Sequence, residues 1–361
     1  MMKLRATEYT WEQFEALPME TKAELLAKPD GMPFCTLFAQ QFNRERIDAL
    51  CDLATKIRQI AKTRSGMEFL QSLLFHKRAM IYFTQPSSRT FLSFHSACQI
   101  LGLRTGEVRD AAISSEFKGE TREDSIRTFS SYFDLIIMRT QEKGLAERMS
   151  WVLAKSERPI PIINAGSGKD QHPTQALLDI YTLRRSFERR GGLANRTILY
   201  VGDLARGRTV RSLSNLLLNY DNIRHIFVAA EPLQIGQDIL DMLDRRGASY
   251  VVTDDMQKYL PEADAVYMTR IQDEWDRSKG ESARIDTSKF KINANLMRLM
   301  KPSAILMHPL PRRDEIATDC DTDPRAMYWR QMRNGMWIRT ALIASTFDCQ
   351  SRIDAFFRDN F

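Results

Sequence analysis

Several short stretches of this chain carry side chains suited to holding anions. Pro86-Ser87-Ser88-Arg89-Thr90 sets three hydroxyls and a guanidinium between an apolar run and a helical pattern. A helix N-terminus offers free N–H groups and the positive end of its dipole, so this stretch can surround a phosphate with fork-like hydrogen bonds. The plain alternative is that Ser87 or Ser88 is only an N-cap. Lys118, beside Gly119 in the polar loop 114–121, can reach an anion, although an isolated loop lysine is most often just solvated. Arg139 ends the run 135–138, where the carboxyl end of a strand opens into a crevice. His172 and Gln175 stand three apart at a helix start and share one face. A neutral imidazole and an amide can polarise a carbonyl without carrying charge, although a lone histidine is more often structural.

Three later stretches complete the set. Gly202-Asp203-Leu204-Ala205-Arg206-Gly207-Arg208-Thr209 follows a strand and precedes a helix, with Glu231 after the next strand. A dinucleotide site would need Gly-x-Gly-x-x-Gly there, and that pattern is absent. Arg206 and Arg208 suit a carboxylate instead. Arg270 and Gln272 follow another strand end, and so does His308-Pro309-Leu310-Pro311-Arg312. Prolines on both sides of Leu310 leave backbone carbonyls that no helix or sheet claims, free to accept from an amide NH2.

These residues need a scaffold, and the apolar pattern supplies one. Runs at 80–83, 135–138 and 160–163, then at 197–201, 226–229, 250–252, 265–268 and 304–307, alternate with helical patterns. Short buried strands alternating with helices predict an α/β fold: two doubly wound domains with parallel sheets, joined by helices. A helix over 174–186 joins the two series. One last helix over 337–357, after the loop Asn334-Gly335, is expected to return to the first domain. The expected divisions are an N-terminal extension (1–36), a first domain (37–175), a second (176–333) and the final helix (334–361). Residues 1–36 read as short amphipathic helices forming an appendage.

Composition narrows the classes. The 361 residues are 43% hydrophobic and 27% charged, which argues against disordered, collagen-like and disulfide-scaffold proteins. The net charge of +6 is spread among interleaved acids and bases rather than gathered into a basic patch, so small anions fit better than nucleic acid. The five cysteines form no Cys-x-x-Cys pair, which argues against a zinc cluster or redox motif and for reduced thiols in the cytoplasm. Neither a membrane span nor a signal peptide is expected.

Taken in order, Ser-Ser-Arg-Thr, Lys-Gly-Glu-Thr, His-Pro-Thr-Gln, Gly-Asp-Leu…Gly-Arg-Thr, Met-Thr-Arg-Ile-Gln and His-Pro-Leu-Pro-Arg resemble the aspartate carbamoyltransferase family, from about residue 40 to residue 350. His-Pro-Leu-Pro, in place of His-Cys-Leu-Pro, is similar to the aspartate branch. The resemblance implies that Ser87, Ser88, Arg89, Thr90 and Arg139 hold the phosphate of carbamoyl phosphate. It implies that Arg89, Thr90 and His172 contact the carbonyl oxygen, while Gln175 and the carbonyls of Pro309 and Leu310 hold the carbamoyl NH2. It assigns the carboxylates of L-aspartate to Arg208, Arg270 and Gln272, and has Lys118 touch both substrates. It further implies a cis Leu310–Pro311 bond, no metal or other cofactor, and a homotrimer whose Ser114–Lys118 loop enters the neighbouring subunit's site. Regulatory or dihydroorotase-like chains are candidate partners.

The chain departs from the family pattern at Gln85, Ser88, Phe91, His95, Ala205 and Trp275. Phe91 and His95 stand where a supporting ion pair is usual. Gln85 and Trp275 stand where the family uses charges in domain closure. Three competing readings follow: a carbamoyltransferase with another amine acceptor, a non-catalytic binding paralogue, and a nicotinamide-dependent dehydrogenase, the last disfavoured by the missing glycine fingerprint.

Overall fold

The computed structural model describes residues 4–109, 119–168, 172–276, 278, 280 and 282–361. The chain divides into two compact units, Met1–Thr174 with Gly335–Phe361, and Gln175–Asn334. Each is built on a parallel sheet with helices between its strands, an α/β architecture.

In the first unit the strands are β1 (Arg78–Phe83), β2 (Arg104–Val108), β3 (Leu135–Thr140) and β4 (Ile162–Ser167), in the order β2-β1-β3-β4. Its helices are α1 (Trp11–Ala16), α2 (Met19–Leu25), α3 (Arg44–Ile60), α4 (Arg64–Ser72), α5 (Ser88–Ile100), α6 (Arg122–Tyr132) and α7 (Leu145–Ala154). Strand side chains alternate between faces, so Met80, Tyr82, Ile136, Met138 and Ile162 share one face and pack with Met149, Val152 and Leu153 of α7. The strand β2 has no counterpart among the expected runs. Its sequence Arg-Thr-Gly-Glu-Val lies at the sheet edge, exposed or half-buried along its length, so it lacks an apolar signature.

The N-terminal segment is part of this core rather than an appendage. Leu4, Ala6, Phe14, Leu25 and Leu26 are buried in the same cluster as α7. Thr10 and Gln13 form a reciprocal capping box that starts α1. The Lys22 ammonium reaches Glu147 of α7 at 3.0 Å, with both side chains largely buried, and Trp151 Nε1 donates to the Tyr9 carbonyl at 3.2 Å.

The second unit carries β5 (Thr197–Val201), β6 (Arg224–Val228), β7 (Ser249–Thr253), β8 (Ala265–Met268) and β9 (Ile305–Met307), ordered β7-β6-β5-β8-β9. The helix α8 (Pro173–Phe187) leads into it. Then come α9 (Arg208–Leu217), α10 (Gln237–Arg245), α11 (Met256–Tyr259) and α12 (Ala294–Met297). Leu199, Val201, Ile226, Val228, Val266, Met268 and Leu306 line one sheet face over Phe290, Met297 and Met300. On the opposite face Tyr200 stacks on Phe227 and His225, with ring centroids 5.1 and 5.9 Å apart.

The chain returns to the first unit through two helices, not one. α13 (Tyr328–Thr346) runs straight through Asn334-Gly335, and α14 (Gln350–Asn360) follows it. The break falls at Asp348, whose φ of 56° is left-handed and cannot continue a helix. Lys28 pins that break: its ammonium bonds the Ser345 carbonyl at 3.0 Å and pairs with Asp348. α14 lies on α3 and α4, with Lys56 on Asp354 at 2.6 Å and Phe69 stacked on Phe356 at 4.0 Å.

Candidate active site

Both sheets have a topological switch point. From β1 the chain winds outward to β2 and then returns to place β3 on the other side; from β5 it winds to β6 and β7, then returns to β8. In open α/β sheets, ligands bind outside the carboxyl ends of the strands at such points. Ser87–Thr90 and Arg139 stand at the first such point, after β1 and at the end of β3, and Arg208, Arg270 and Gln272 at the second, after β5 and β8.

In the first unit Phe83 pairs in register with Arg139, so the ends of β1 and β3 lie side by side. The turn after β1 folds over β3: Thr84 N–H donates to the Arg139 carbonyl at 3.0 Å. Ser87 then occupies the N-cap position of α5, yet its side chain makes no capping hydrogen bond. Its hydroxyl is therefore not spent on the helix, which favours the anion reading over the capping one. Arg89 is exposed in the first turn of α5, while Thr90 is buried. Arg139 is buried at 8% exposure and donates through Nη1 to the Ala165 carbonyl of β4 at 3.1 Å. His172, also buried, lies just beyond β4 with its Nδ1 3.5 Å from Thr174 Oγ1. Ser87–Thr90 and Arg139 thus stand at the carboxyl ends of the adjacent strands β1 and β3, and His172 follows β4 in the chain. Lys118 and Ser114 lie outside the described residues.

The departures on α5 form an aromatic cluster. Phe91 meets Phe83 edge-on at 5.7 Å and stacks on His95 at 6.0 Å. The Arg109 guanidinium sits 4.4 Å from the Phe91 centroid. A cation over a ring face stands where an ion pair is usual.

In the second unit the switch point is braced by Asp203, which is fully buried. One of its carboxylate oxygens accepts from Arg206 N–H at 3.1 Å and the other from Gln272 N–H at 3.0 Å. A single side chain thereby fixes the loop after β5 to the loop after β8. Burial pulls its carboxyl above the ordinary range, against the opposing pull of those two donors and of Arg206. Gly202, at φ 116°, permits the close approach: a Cβ there would lie 2.1 Å from the Thr269 carbonyl oxygen.

Arg206 and Arg270 are both paired with acids of their own unit. Arg206 bonds Asp276 Oδ1 and Ser282 Oγ at 2.8 Å each, and the Gln272 carbonyl at 3.3 Å. Through these contacts it braces the loop after β5 against the segment after β8. Arg208 opens α9, and burial lowers its guanidinium to about 10, with Glu274 pulling the other way. Arg270 bonds the Ile271 carbonyl at 2.7 Å and Glu274 Oε2 at 2.8 Å. Burial alone would raise the Glu274 carboxyl, but Arg270 holds it below the ordinary range. Gln272 is held through its backbone, by Asp203 and Arg206.

After β9 the chain turns through His308, Pro309 and Leu310, and the Leu310–Pro311 bond is cis. His308 is fully buried. Its Nδ1 accepts from Leu310 N–H at 2.8 Å, and its Nε2 lies 2.7 Å from Glu315 Oε1. Burial lowers its imidazole, against Glu315, and keeps it neutral. Gln175, in the first turn of α8, is likewise buried and bonds Asp179. Sequence reasoning missed Asp179, Gln331 and Glu315: Gln331 meets His308 and Asp179 only through the fold, whereas Asp179 stands four residues from Gln175 and Glu315 seven from His308, spacings that carried no motif of their own.

Comparison with known proteins decides the family. Residues 36–185 match the aspartate/ornithine carbamoyltransferase carbamoyl-P binding domain, and residues 194–346 match the Asp/Orn binding domain of the same family. The chain belongs to the aspartate/ornithine carbamoyltransferase family. It is 41% identical over 307 residues to the chloroplastic aspartate carbamoyltransferase of Arabidopsis thaliana, covering 84% of this chain and 75% of that protein. It is 40% identical over 311 residues to the aspartate carbamoyltransferase catalytic subunit of Vibrio cholerae, covering 85% and 97%. Among solved structures, the Trypanosoma cruzi aspartate transcarbamoylase in complex with carbamoyl aspartate and phosphate aligns with a TM-score of 0.77. That match is 36% identical and covers 88% of this chain and 97% of the other. The M. jannaschii catalytic subunit aligns at 0.76 and 33% identity, covering 87% and 98%. Residues 1–35 precede both family domains. Among the described residues no helix is long and apolar enough to cross a membrane.

Proposed function

We infer that this chain transfers the carbamoyl group of carbamoyl phosphate to the amine of L-aspartate, giving N-carbamoyl-L-aspartate and phosphate, a step of pyrimidine biosynthesis. One observation carries the reading: the Trypanosoma cruzi enzyme in complex with carbamoyl phosphate and aspartate is 36% identical over 88% of this chain. The ordered motifs and the cations at the two switch points support it.

In this reading Ser87, Ser88, Arg89, Thr90 and Arg139 hold the phosphate, using hydroxyls, guanidinium groups and the N-terminus of α5. Arg208, Arg270 and Gln272 bind the aspartate carboxylates, and Lys118 contacts both substrates. The aspartate nitrogen attacks the carbonyl carbon, and electron density moves onto the carbonyl oxygen. Arg89, Thr90 and His172 stabilise that oxygen as charge develops. The C–O bond to phosphate then breaks, and the departing phosphate accepts the amine's proton. Gln175 and the carbonyls of Pro309 and Leu310 accept from the carbamoyl NH2. Carbamoyl phosphate is already activated, so orientation and electrostatics are what the chain must contribute.

The assembly in this reading is a homotrimer with shared sites, in which the Ser114–Lys118 loop serves a neighbouring subunit. Regulatory or dihydroorotase-like chains remain its candidate partners. A reducing compartment such as the cytoplasm suits the cysteines, all five of which are buried free thiols. The test is aspartate-dependent phosphate release from carbamoyl phosphate by the assembled oligomer, run beside a panel of other amines. Release with aspartate as the best acceptor is expected. No release at saturating substrates, or a clear preference for another amine, would overturn the reading.

A further inference from the structure

Behind Gln175 and the Pro309–Leu310 turn lies one continuous buried hydrogen-bond network. Gln175 Nε2 donates to Asp179 Oδ1 at 3.0 Å, four residues along α8. The same oxygen accepts from Gln331 Nε2 at 2.7 Å, and Asp179 Oδ2 accepts from the Tyr267 hydroxyl at 2.7 Å. Gln331 Oε1 accepts from His308 N–H at 2.9 Å, and His308 Nδ1 accepts from Leu310 N–H at 2.8 Å. Asp179, Tyr267, His308 and Gln331 are all buried to within 1% exposure.

Donor and acceptor rules allow this network one polarity. The His308 backbone N–H can only donate, so Gln331 must turn its carbonyl toward it and its NH2 toward Asp179. The Asp179 carboxylate can only accept, so Gln175 must turn its NH2 inward as well. Gln175 Oε1 is thereby pointed away from Asp179. At the other end, Leu310 N–H is committed to His308. The Pro309–Leu310 peptide is planar and trans, so the Pro309 carbonyl must point the opposite way. His308 cannot exchange roles, because its other nitrogen faces Glu315 at 2.7 Å.

Resting on the function proposed above, we propose that Asp179, Gln331 and His308 are positioning residues that preset Gln175 Oε1 and the Pro309 carbonyl as two acceptors for one NH2 group. They thereby select a carbamoyl group over an acyl group of the same shape. An acetyl group offers a methyl where the carbamoyl offers two N–H donors, and it would leave both acceptors unpaired. An unpaired buried polar group carries its full desolvation penalty, so discrimination comes from the mismatch as much as from the match.

The experiment compares carbamoyl phosphate as substrate with acetyl phosphate as a competitive inhibitor, in the assembled enzyme. In Asp179→Asn the new amide can donate to Gln175 Oε1, turning the Gln175 NH2 toward the substrate. We expect kcat/KM for carbamoyl phosphate to fall about tenfold or more, with acetyl phosphate inhibition unchanged. A pair at His308 separates positioning from packing. In His308→Asn the side-chain oxygen replaces Nδ1 and still accepts from Leu310 N–H, so activity should stay within about threefold of wild type. His308→Gln reaches toward Glu315 instead and should lose about tenfold. Parallel loss for both phosphates in Asp179→Asn, or equal loss in the two His308 variants, would overturn the inference. The His308 pair decides the matter even where Asp179→Asn fails to fold. Absence of turnover in the wild type would instead sink the proposed function, so the two failures are distinguishable.

Discussion

The two switch points share a topology but handle charge differently. At the first, the groups at the strand ends are hydroxyls, a helix N-terminus and guanidiniums, and Ser87 keeps its hydroxyl uncommitted. At the second, arginines come with carboxylates of the same unit: Arg270 with Glu274 and Asp273, Arg206 with Asp276, and Arg313 with Asp273 at 2.8 Å. An anion entering the first meets the backbone N–H groups at the start of α5 and a Ser87 hydroxyl that makes no capping bond. An anion entering the second meets cations held in place by competing acids. The contrast matches the two ligands: a phosphate is compact and symmetric, whereas an amino acid with two carboxylates must be read in one orientation.

The contrast can be broken most directly at Arg89. Arg89→Ala should cut kcat about a thousandfold, because it removes charge-assisted donors aimed at developing negative charge. Steady-state kinetics with both substrates varied would show it, and a change confined to the KM for aspartate would contradict the assignment. Arg270→Ala should act on the other ligand. It should lower kcat/KM for aspartate about a hundredfold while the affinity for carbamoyl phosphate stays near wild type. Equal losses for both substrates would erase the distinction between the loci.

A smaller effect concerns acid. Burial lowers the His225 imidazole to about 4 within the Tyr200–Phe227 stack. A depressed imidazole contributes stability that is fully present above its unfolded value near 6.5 and is lost as pH falls toward the folded value. Between pH 7 and pH 5 this amounts to about 2 kcal/mol, at about 1.4 kcal/mol per pH unit below 6.5. Denaturant melts of wild type and His225→Phe across that range should diverge by this amount, with the variant less sensitive to acid. Identical pH slopes would show that other groups govern the loss.

What was legible in the sequence follows from how local each signal is. The strands β5 and β8 are apolar on both faces and stand out as uninterrupted runs, 197–201 and 265–268. Edge strand β2 is polar enough to hide. The break between α13 and α14 hid as well, since Asp348 is held in its left-handed turn with the help of Lys28, far back in the chain. The same logic sorts the site. The strand-end motifs show where Arg206, Arg208 and Arg270 stand, but not that Arg206 turns inward to Asp276 and Ser282 or that Arg270 lies on Glu274. Asp179 sits within an unremarkable helical pattern, and only the fold brings it Tyr267 and Gln331.

Both passages between the units run inside helices, α8 and α13, so the second unit is an excursion that leaves the first unit and comes back to it. While the first unit stays folded, an unfolded second unit is a closed loop rather than a chain with free ends. Closing a loop well beyond a hundred residues removes roughly 5 kcal/mol of disorder from the unfolded state, as a disulfide of that span would. Lys22 and Lys28, by fastening the N-terminal segment to α7 and to the α13–α14 break, strengthen the clasp of that loop. A weakness introduced at either lysine would lower the stability of the first unit itself, and residues 175–334 would lose their closure only where that unit opens.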